Sequence, residues 1–298
     1  MTFRKDFDTI PISTRTIIVT THVEMNIENL YNKLPITPYK VKEKKRGRKK
    51  KKEVINEIEN KVEDGSIVSL KYQDQIRGVE LKKKKRSTKF FRNAVTVIMF
   101  VDGKLINLKI STNGKMQVTG CKEIDHCKQA MISLFNIILL EPTTFLNGEI
   151  KDDINIIFNN VMTNKDFFIG FYINRENLDK IINSSTEHNS ILETSFGYTG
   201  VNLKMNLDKD RERSFDCLRI NSKTKETVSY KMDYGDYLKK LNAKEIEKEN
   251  KKKYITFLIF QSGNIIMSGI NEILMEKYYN IFYDIVEQNI SKIKQKSN

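Results

Sequence analysis

Hydrophobic and polar positions along this chain fall into short alternating runs and longer stripes of period 3.6, in an order that comes round twice. Residues 16–23 are rich in β-branched side chains and read as a strand. Residues 26–34 carry Ile27, Leu30, Tyr31 and Leu34 at helical spacing, and Pro35 and Pro38 stop that helix. Residues 94–101 and 105–110 are strands joined at Asp102-Gly103, and Asn113-Gly114 turns the second into residues 115–119. A helix over 123–140 then shows an apolar stripe of Ile124, Cys127, Ala130, Met131, Leu134, Phe135 and Ile138. The second half follows suit, with a strand at 154–163, a short helix at 173–182 and a polar loop at 183–195. A strand at 196–207, interrupted by Gly197 and Gly200, precedes a very apolar strand at 254–260. Ser262-Gly263 turns that strand into 264–268, and Asn271 caps a last helix whose expected buried stripe is Ile273, Leu274, Tyr278, Ile281, Phe282, Ile285 and Val286.

The repeat is explicit in one stretch. Ile110, Gly114, Gly120, Glu123 and Ile124 recur as Ile259, Gly263, Gly269, Glu272 and Ile273, a constant offset of 149 residues. A strand end, a Gly turn, a short strand, a second Gly and a long helix are therefore written twice, as in an internally duplicated fold. Each half predicts an antiparallel sheet with helices on one face. Two such halves would join edge to edge into one long curved sheet with its helices on the convex side and its concave side open to a partner.

Charge changes the picture. Over residues 42–52 nine Lys and Arg stand against Glu43, and residues 82–89 add six more cations; together these runs hold the whole formal net charge of +14. Such runs attract phosphate, and a solvated surface explains them equally well. They flank an interruption at 40–89, which also contains a charged helix-like piece at 53–63 and two strand-like pieces at 66–72 and 76–81. A second charged interruption, 208–252, shows no clear pattern. The expected organisation is a disordered leader at 1–14, a first repeat at 15–141, a second at 142–290 and a basic tail at 291–298.

Three cysteines at unrelated spacings (Cys121, Cys127, Cys217) make neither a disulfide framework nor a metal knuckle. His22, His126 and His188 have no metal-ligand spacing. No phosphate loop, nucleophile elbow or paired acidic motif is present, so neither an enzyme nor a cofactor is expected. The start lacks the apolar core of a signal peptide and no run approaches a membrane span, so an intracellular protein is expected.

The repeated residues resemble the TATA-binding protein family. Thr112–Lys122 and Gln261–Asn271 match its Ser-Gly-Lys turn and Thr-Gly-Ala-Lys segment. Val97-Ile-Met99 matches its Val-Ile-Met strand, and Ile18-Val-Thr-Thr21 and Phe158-Asn-Asn-Val161 match its opening strands. The resemblance covers roughly residues 15–40, 90–141 and 154–290, and looks most like a diverged version from a large DNA virus. It implies an α+β duplicated saddle, with two charged insertions, on the minor groove of A·T-rich promoter DNA. It also implies recruitment of a TFIIB-like factor and RNA polymerase by a protein that is monomeric on DNA, in the host nucleus or a viral factory.

Carried over residue by residue, the family's apolar wedges fall on Tyr198 and Phe260 in the second repeat, but on Ala94 and Ser111 in the first. Its groove-floor Asn falls on Asn159 in one repeat and on Ile17 in the other. Thr119, Ile266, Ser268, Val161 and the more polar Gln117 fall on the floor, and Lys115 and Lys122 face phosphates where the second repeat has Asn264 and Asn271. Arg46 and Arg48 lie in an Arg-Gly-Arg core like that of an AT-hook, without its flanking prolines. The alternative is an architectural or protein-interaction module that keeps the duplicated fold and has lost TATA selectivity, since the first repeat lacks wedges.

Overall fold

Residues 4–40, 62–81, 92–150, 152–185, 187–193, 200–207 and 213–295 are described by the computed structural model. The two basic runs, residues 53–61 of the helix-like piece, Tyr198, Arg46 and Arg48 lie outside the described residues. In chain order, β1 (Ile12–Thr20) leads to α1 (Ile27–Lys33), then to a hairpin of β2 (Ile67–Tyr72) and β3 (Gln75–Gly78). β4 (Ala94–Val101), β5 (Lys104–Ser111) and β6 (Lys115–Thr119) form a meander that runs into α2 (Ile124–Ile138). β7 (Ile154–Phe168), α3 (Arg175–Ser185), β8 (Asn189–Glu193) and β9 (Gly200–Asn206) follow. Next come β10 (Ser214–Ile220), β11 (Thr227–Asp233), α4 (Tyr234–Lys239) and α5 (Ala243–Glu249). β12 (Tyr254–Phe260), β13 (Asn264–Gly269), α6 (Glu272–Gln288) and α7 (Ile290–Ile293) complete the chain. The class is α+β, and the thirteen described strands form an open sheet.

The chain divides into two compact units. The N-repeat unit comprises Ile18–Phe158 and Cys217–Tyr230; the C-repeat unit comprises Met1–Ile17, Asn159–Asp216 and Lys231–Asn298. Within the first the strand order is β3-β2-β4-β5-β6, and within the second it is β7-β13-β12-β9-β8. Their registers coincide at the 149-residue offset: Asn107 pairs with Thr119 and Lys109 with Gln117, while Thr256 pairs with Ser268 and Leu258 with Ile266.

The period-2 pattern sends one set of side chains into each core. In the N-repeat unit Val97, Met99, Ile106, Leu108, Ile110, Met116 and Val118 are buried, as are Cys127, Met131, Leu134 and Phe135 of α2. In the C-repeat unit Val201, Leu203, Ile255, Phe257, Ile259, Ile265 and Met267 form one cluster with Met275, Tyr279, Phe282, Tyr283 and Val286 of α6. The Phe257 and Phe282 rings stack 4.6 Å apart. Burial of such rings supplies about 1.5–3 kcal/mol each.

Several expectations are corrected. The leader has structure from residue 4 onward. A 3-10 turn (Phe7–Thr9) buries Phe7, with Ile10 buried beside it. The Lys165 ammonium donates to the carbonyls of Phe7 (3.2 Å) and Ile10 (2.9 Å), and the Tyr279 hydroxyl donates to that of Lys5 (2.8 Å). Two apolar anchors in a polar stretch are enough when a buried cation takes the intervening carbonyls. The strand-like pieces of the 40–89 interruption do form a hairpin, β2 with β3, and what the sequence did not show is that β2 also pairs with β4 and buries Ile67, Val68 and Leu70. Its counterpart β8 pairs with β9 inside the stretch expected as loop.

The buried stripe of α6 is turned by about one residue. Met275, Tyr279 and Tyr283 face the core while Ile273 is 78% exposed. Phe7 and Phe167 pack on Tyr279, an aromatic cluster that outweighs the aliphatic side chains in setting the helix's rotation. The 208–252 interruption also has order. β10 buries Phe215, Cys217, Leu218 and Ile220, and the Asn221 carboxamide oxygen accepts from the backbone N–H of Lys223 and of Thr224 to turn the chain into β11.

Candidate nucleic-acid interface

Each unit's sheet has a second face, opposite its core, and the registers show which side chains share it. Directly opposed residues point to the same face with Cβ atoms about 5 Å apart. In the C-repeat unit one row runs Ile191, Asn202, Leu258, Ile266 and Asp166 across β8, β9, β12, β13 and β7. Thr256 and Ser268 stand opposed one row along, with Lys204 and Asn164 on the same line. Ile191 is 62% exposed, and Leu258 and Ile266 are half-buried.

Phe260 ends β12 opposite Gly200, which offers no side chain to cover the ring. The turn that follows is fixed by Gly263, whose φ is +83° and where a Cβ would lie 2.2 Å from the Phe171 carbonyl oxygen. Its counterpart Gly114 has φ +72° and the same 2.2 Å approach, to the Val23 carbonyl oxygen. Only glycine combines that backbone angle with that closeness. The Phe168 ring adjoins the Gly263 turn: its Cε2 would lie 3.0 Å from a Cβ there, and Phe168 is 45% exposed. Phe168 and Ile191 escaped the sequence reading; alternation along 163–168 carries the signal for Phe168, since Phe167 and Lys165 are buried.

In the N-repeat unit the equivalent row is Lys71, Thr96, Lys109 and Gln117 across β2, β4, β5 and β6. Thr119 opposes Asn107. Lys115 opens β6, and Lys122 is exposed between β6 and α2. Ala94, only 8% exposed, opposes Ser111. The register makes Ala94 the counterpart of Gly200, which opposes Phe260, and not of Tyr198. A two-residue slip preserves the period-2 burial of a strand, so motif letters alone do not detect it. Phe100 lies at the far end of β4, opposite Leu105.

The opening strands depart further from expectation. Ile17 is fully buried, on the core side. The part of β7 that pairs with β13 presents Asn164, Asp166 and Phe168 with Ser268, Ile266 and Asn264. Asn159 and Val161 precede that part; Val161 is exposed, but the Asn159 side chain is taken up within its own unit. Its amide nitrogen donates to the Tyr237 hydroxyl (3.0 Å), and its oxygen accepts from Arg213 (3.1 Å). Arg213 also pairs with Glu249 at 2.8 Å, with side chains only 10% and 11% exposed, and Lys253 donates to the same carboxylate. Phe215 stacks on Tyr237 with ring centroids 4.0 Å apart. The second insertion thus covers a residue expected on the groove floor. Burial, then the Glu249 charge, raise the Tyr237 hydroxyl's pKa, so it stays a neutral partner.

Among the described residues no group of three or more His, Cys, Asp or Glu is placed to hold a metal, and no helix is long and apolar enough to cross a membrane. Cys121, Cys127 and Cys217 are buried and form no disulfide. His126 caps α2 as its Nδ1 accepts from the Glu123 N–H (3.2 Å), and its Nε2 lies 3.0 Å from the Asp102 carboxylate.

The molecule is therefore an α+β protein whose two units repeat one sheet pattern, each with a solvent-facing side of different chemistry. No family model matches the chain. It is similar to the TATA-box-binding protein-like protein of Acanthamoeba polyphaga mimivirus, at 30% identity over 154 residues, 45% of this chain and 42% of that protein. It is also similar to Uncharacterized protein 335L of Invertebrate iridescent virus 6, at 29% identity over 206 residues, 65% of this chain and 60% of that protein. The chain thus spans less than two thirds of either relative. Among solved structures, Methanococcus jannaschii TBP aligns over 94% of this chain and 98% of its own, at 10% identity and a TM-score of 0.46.

Proposed function

We propose that this protein binds A·T-rich promoter DNA through the minor groove, bends it, and serves as an initiation factor that recruits a TFIIB-like factor and RNA polymerase. The observation that carries this reading is the solvent-facing side of the C-repeat sheet, with Leu258 opposite Ile266 and Phe260 at the Gly263 turn. A minor-groove floor of A·T pairs offers only acceptors, whereas guanine adds an N2 amino donor. Two aliphatic side chains pressed on that floor leave the guanine donor unpaired, at a cost of about 1–3 kcal/mol. Phe260 can insert between base steps at the edge of that floor, as apolar side chains of minor-groove benders do. The similarity to a TATA-box-binding protein-like protein supports the same reading.

Competition between an A·T-rich and a G·C-rich duplex across a salt series tests it. Selective binding that persists at moderate salt is expected. Phe260→Ala is expected to weaken binding by about 1–3 kcal/mol, the usual scale for base stacking on an aromatic ring, and to reduce the bend measured by end-to-end energy transfer. Unchanged affinity and bend would remove Phe260 from the interface. Equal binding to both duplexes favours the second reading, an architectural or interaction module. Ala94, Ser111 and the covered Asn159 are what support it.

A further inference from the structure

In the C-repeat unit α3 and α7 border a cleft of about 590 Å³. Leu178 and Ile182 of α3 and Ile293 of α7 point into the core, so the cleft lies on the opposite side of the sheet from the row of Leu258 and Ile266. Lys180 stands on the α3 wall and Lys292 and Lys294 on the other, all three exposed, and Asn174, Asn177 and Gln295 also line it. None of the described lining residues is Asp or Glu, and none of the three lysines is paired with a carboxylate among the described residues. Asp179, next to Lys180, has a carboxylate oxygen taken by the Ser190 hydroxyl (2.6 Å). Lysines that serve solubility are interspersed with acids; here three share one cleft without any. The walls are stitched together. The Asn177 amide nitrogen donates to the Lys292 carbonyl (2.9 Å), the Asn174 N–H to that of Ile293 (2.7 Å) and the Gln295 N–H to that of Tyr172 (2.8 Å). The Asn174 side chain accepts from the Asn177 N–H (3.0 Å) and so caps α3, which leaves the lysines as the source of the cleft's positive charge.

We propose that this cleft binds a compact oligophosphate, a small molecule that carries three or more negative charges on phosphoryl groups. Three like charges on two walls suit one ligand with several charges, because a monoanion meets one ammonium and leaves the others repelling each other. An ammonium is a point charge that meets a tetrahedral phosphate from any direction. Planar carboxylates are recognised best by the guanidinium fork, and no Arg is among the described lining residues. The Gln295 carboxamide oxygen accepts from the Gln261 amide (3.1 Å), which leaves the Gln295 side-chain N–H groups as neutral donors for phosphoryl oxygens. The volume falls within the range of small-ligand sites, about 300–1,000 Å³. The site does not depend on the DNA-binding function proposed above, since the cleft and the row of Leu258 face opposite ways.

Hydrogen–deuterium exchange of the full chain in tripolyphosphate tests this, because resolution by peptide separates the cleft from the basic runs at 42–52 and 82–89. Slowed exchange is expected over 174–181 and 290–295 at low ionic strength, where exposed charges are least screened. K180Q/K292Q/K294Q should raise the tripolyphosphate concentration for half protection by about tenfold or more. K244Q/K248Q/K251Q, which removes the same charge from exposed positions on α5 and just after it, should leave that concentration unchanged. Lys180→Gln alone, expected to raise it by about threefold, answers the question if the triple variant does not fold. No protection over those two segments, or protection that survives in the cleft variant, overturns the site. Equal protection by citrate, with its three carboxylates, overturns the choice of phosphate. Protection by a phosphorylated acidic peptide at far lower concentration than tripolyphosphate makes the occupant a protein segment and overturns the small-molecule assignment.

Discussion

Gly263 shows how a single residue sets a solvent-facing turn. Its positive φ and the 2.2 Å approach to the Phe171 carbonyl hold the turn that ends at Phe260 and adjoins Phe168. Gly263→Ala should cost about 2 kcal/mol or more, because the left-handed angle and the backbone clash act together. Thermal or denaturant unfolding measures it, and unchanged stability would mean that the turn relaxes elsewhere. Asp102 offers a charge test. The hydrogen bond from His126 chiefly, and then the Lys104 cation, hold its carboxyl below the ordinary value. Its folded pKa is thus below the unfolded one, so its contribution is present above the unfolded value of about 3.9 and disappears as pH falls through the folded value. Asp102→Asn keeps a residue tolerant of its φ of +46°, so its stability should be lower than wild type at pH 7 and converge with it in acid. At this scale Phe260 was legible because an aromatic side chain before a Gly turn is conspicuous. Phe168 was not, since it follows Phe167 directly and only the strand's continuation to residue 168 shows which of the two faces solvent.

Among elements, the long helices and the meander are readable because each repeats a strong period. The strands β2 and β8 are harder: β2 reads as a strand-like piece without its partner β4, and β8 does not show at all. They are only six and five residues long, sit in charged or polar surroundings, and earn their place by pairing rather than by composition. The second insertion hid for a related reason. Its order comes from long-range partners, Arg213 with Glu249 and Asn159, and Phe215 with Tyr237. Arg213→Ala leaves Glu249 buried with Lys253 as its remaining cation, and a loss of about 3 kcal/mol is expected. The same variant should free the Asn159 amide. Stronger binding to A·T-rich DNA despite lower stability would mark the insertion as a cover over that residue; binding that merely tracks stability would make it a structural strap.

For the whole molecule, the duplication was legible in one stretch of glycines and isoleucines, and the identical registers of the two hairpins bear it out. What each half does was only partly legible, because function sits in the side chains that the repeat has let diverge. Residues 42–52 carry a net charge of +8. Deleting them should flatten the salt dependence of DNA binding more than it alters the preference between duplexes. Loss of preference at constant slope would assign that run to base reading instead.

The unequal rows have a consequence for direction. A duplicated binder with two identical rows sits on a duplex equally well either way round, and cannot tell upstream from downstream. Here one row is Leu258 with Ile266 and the other Lys109 with Gln117. On the DNA-binding function proposed above, the two orientations on an asymmetric site then differ in energy. A gap of about 2 kcal/mol corresponds to roughly thirty to one. Cleavage from a probe tethered at one end of the protein would report that ratio.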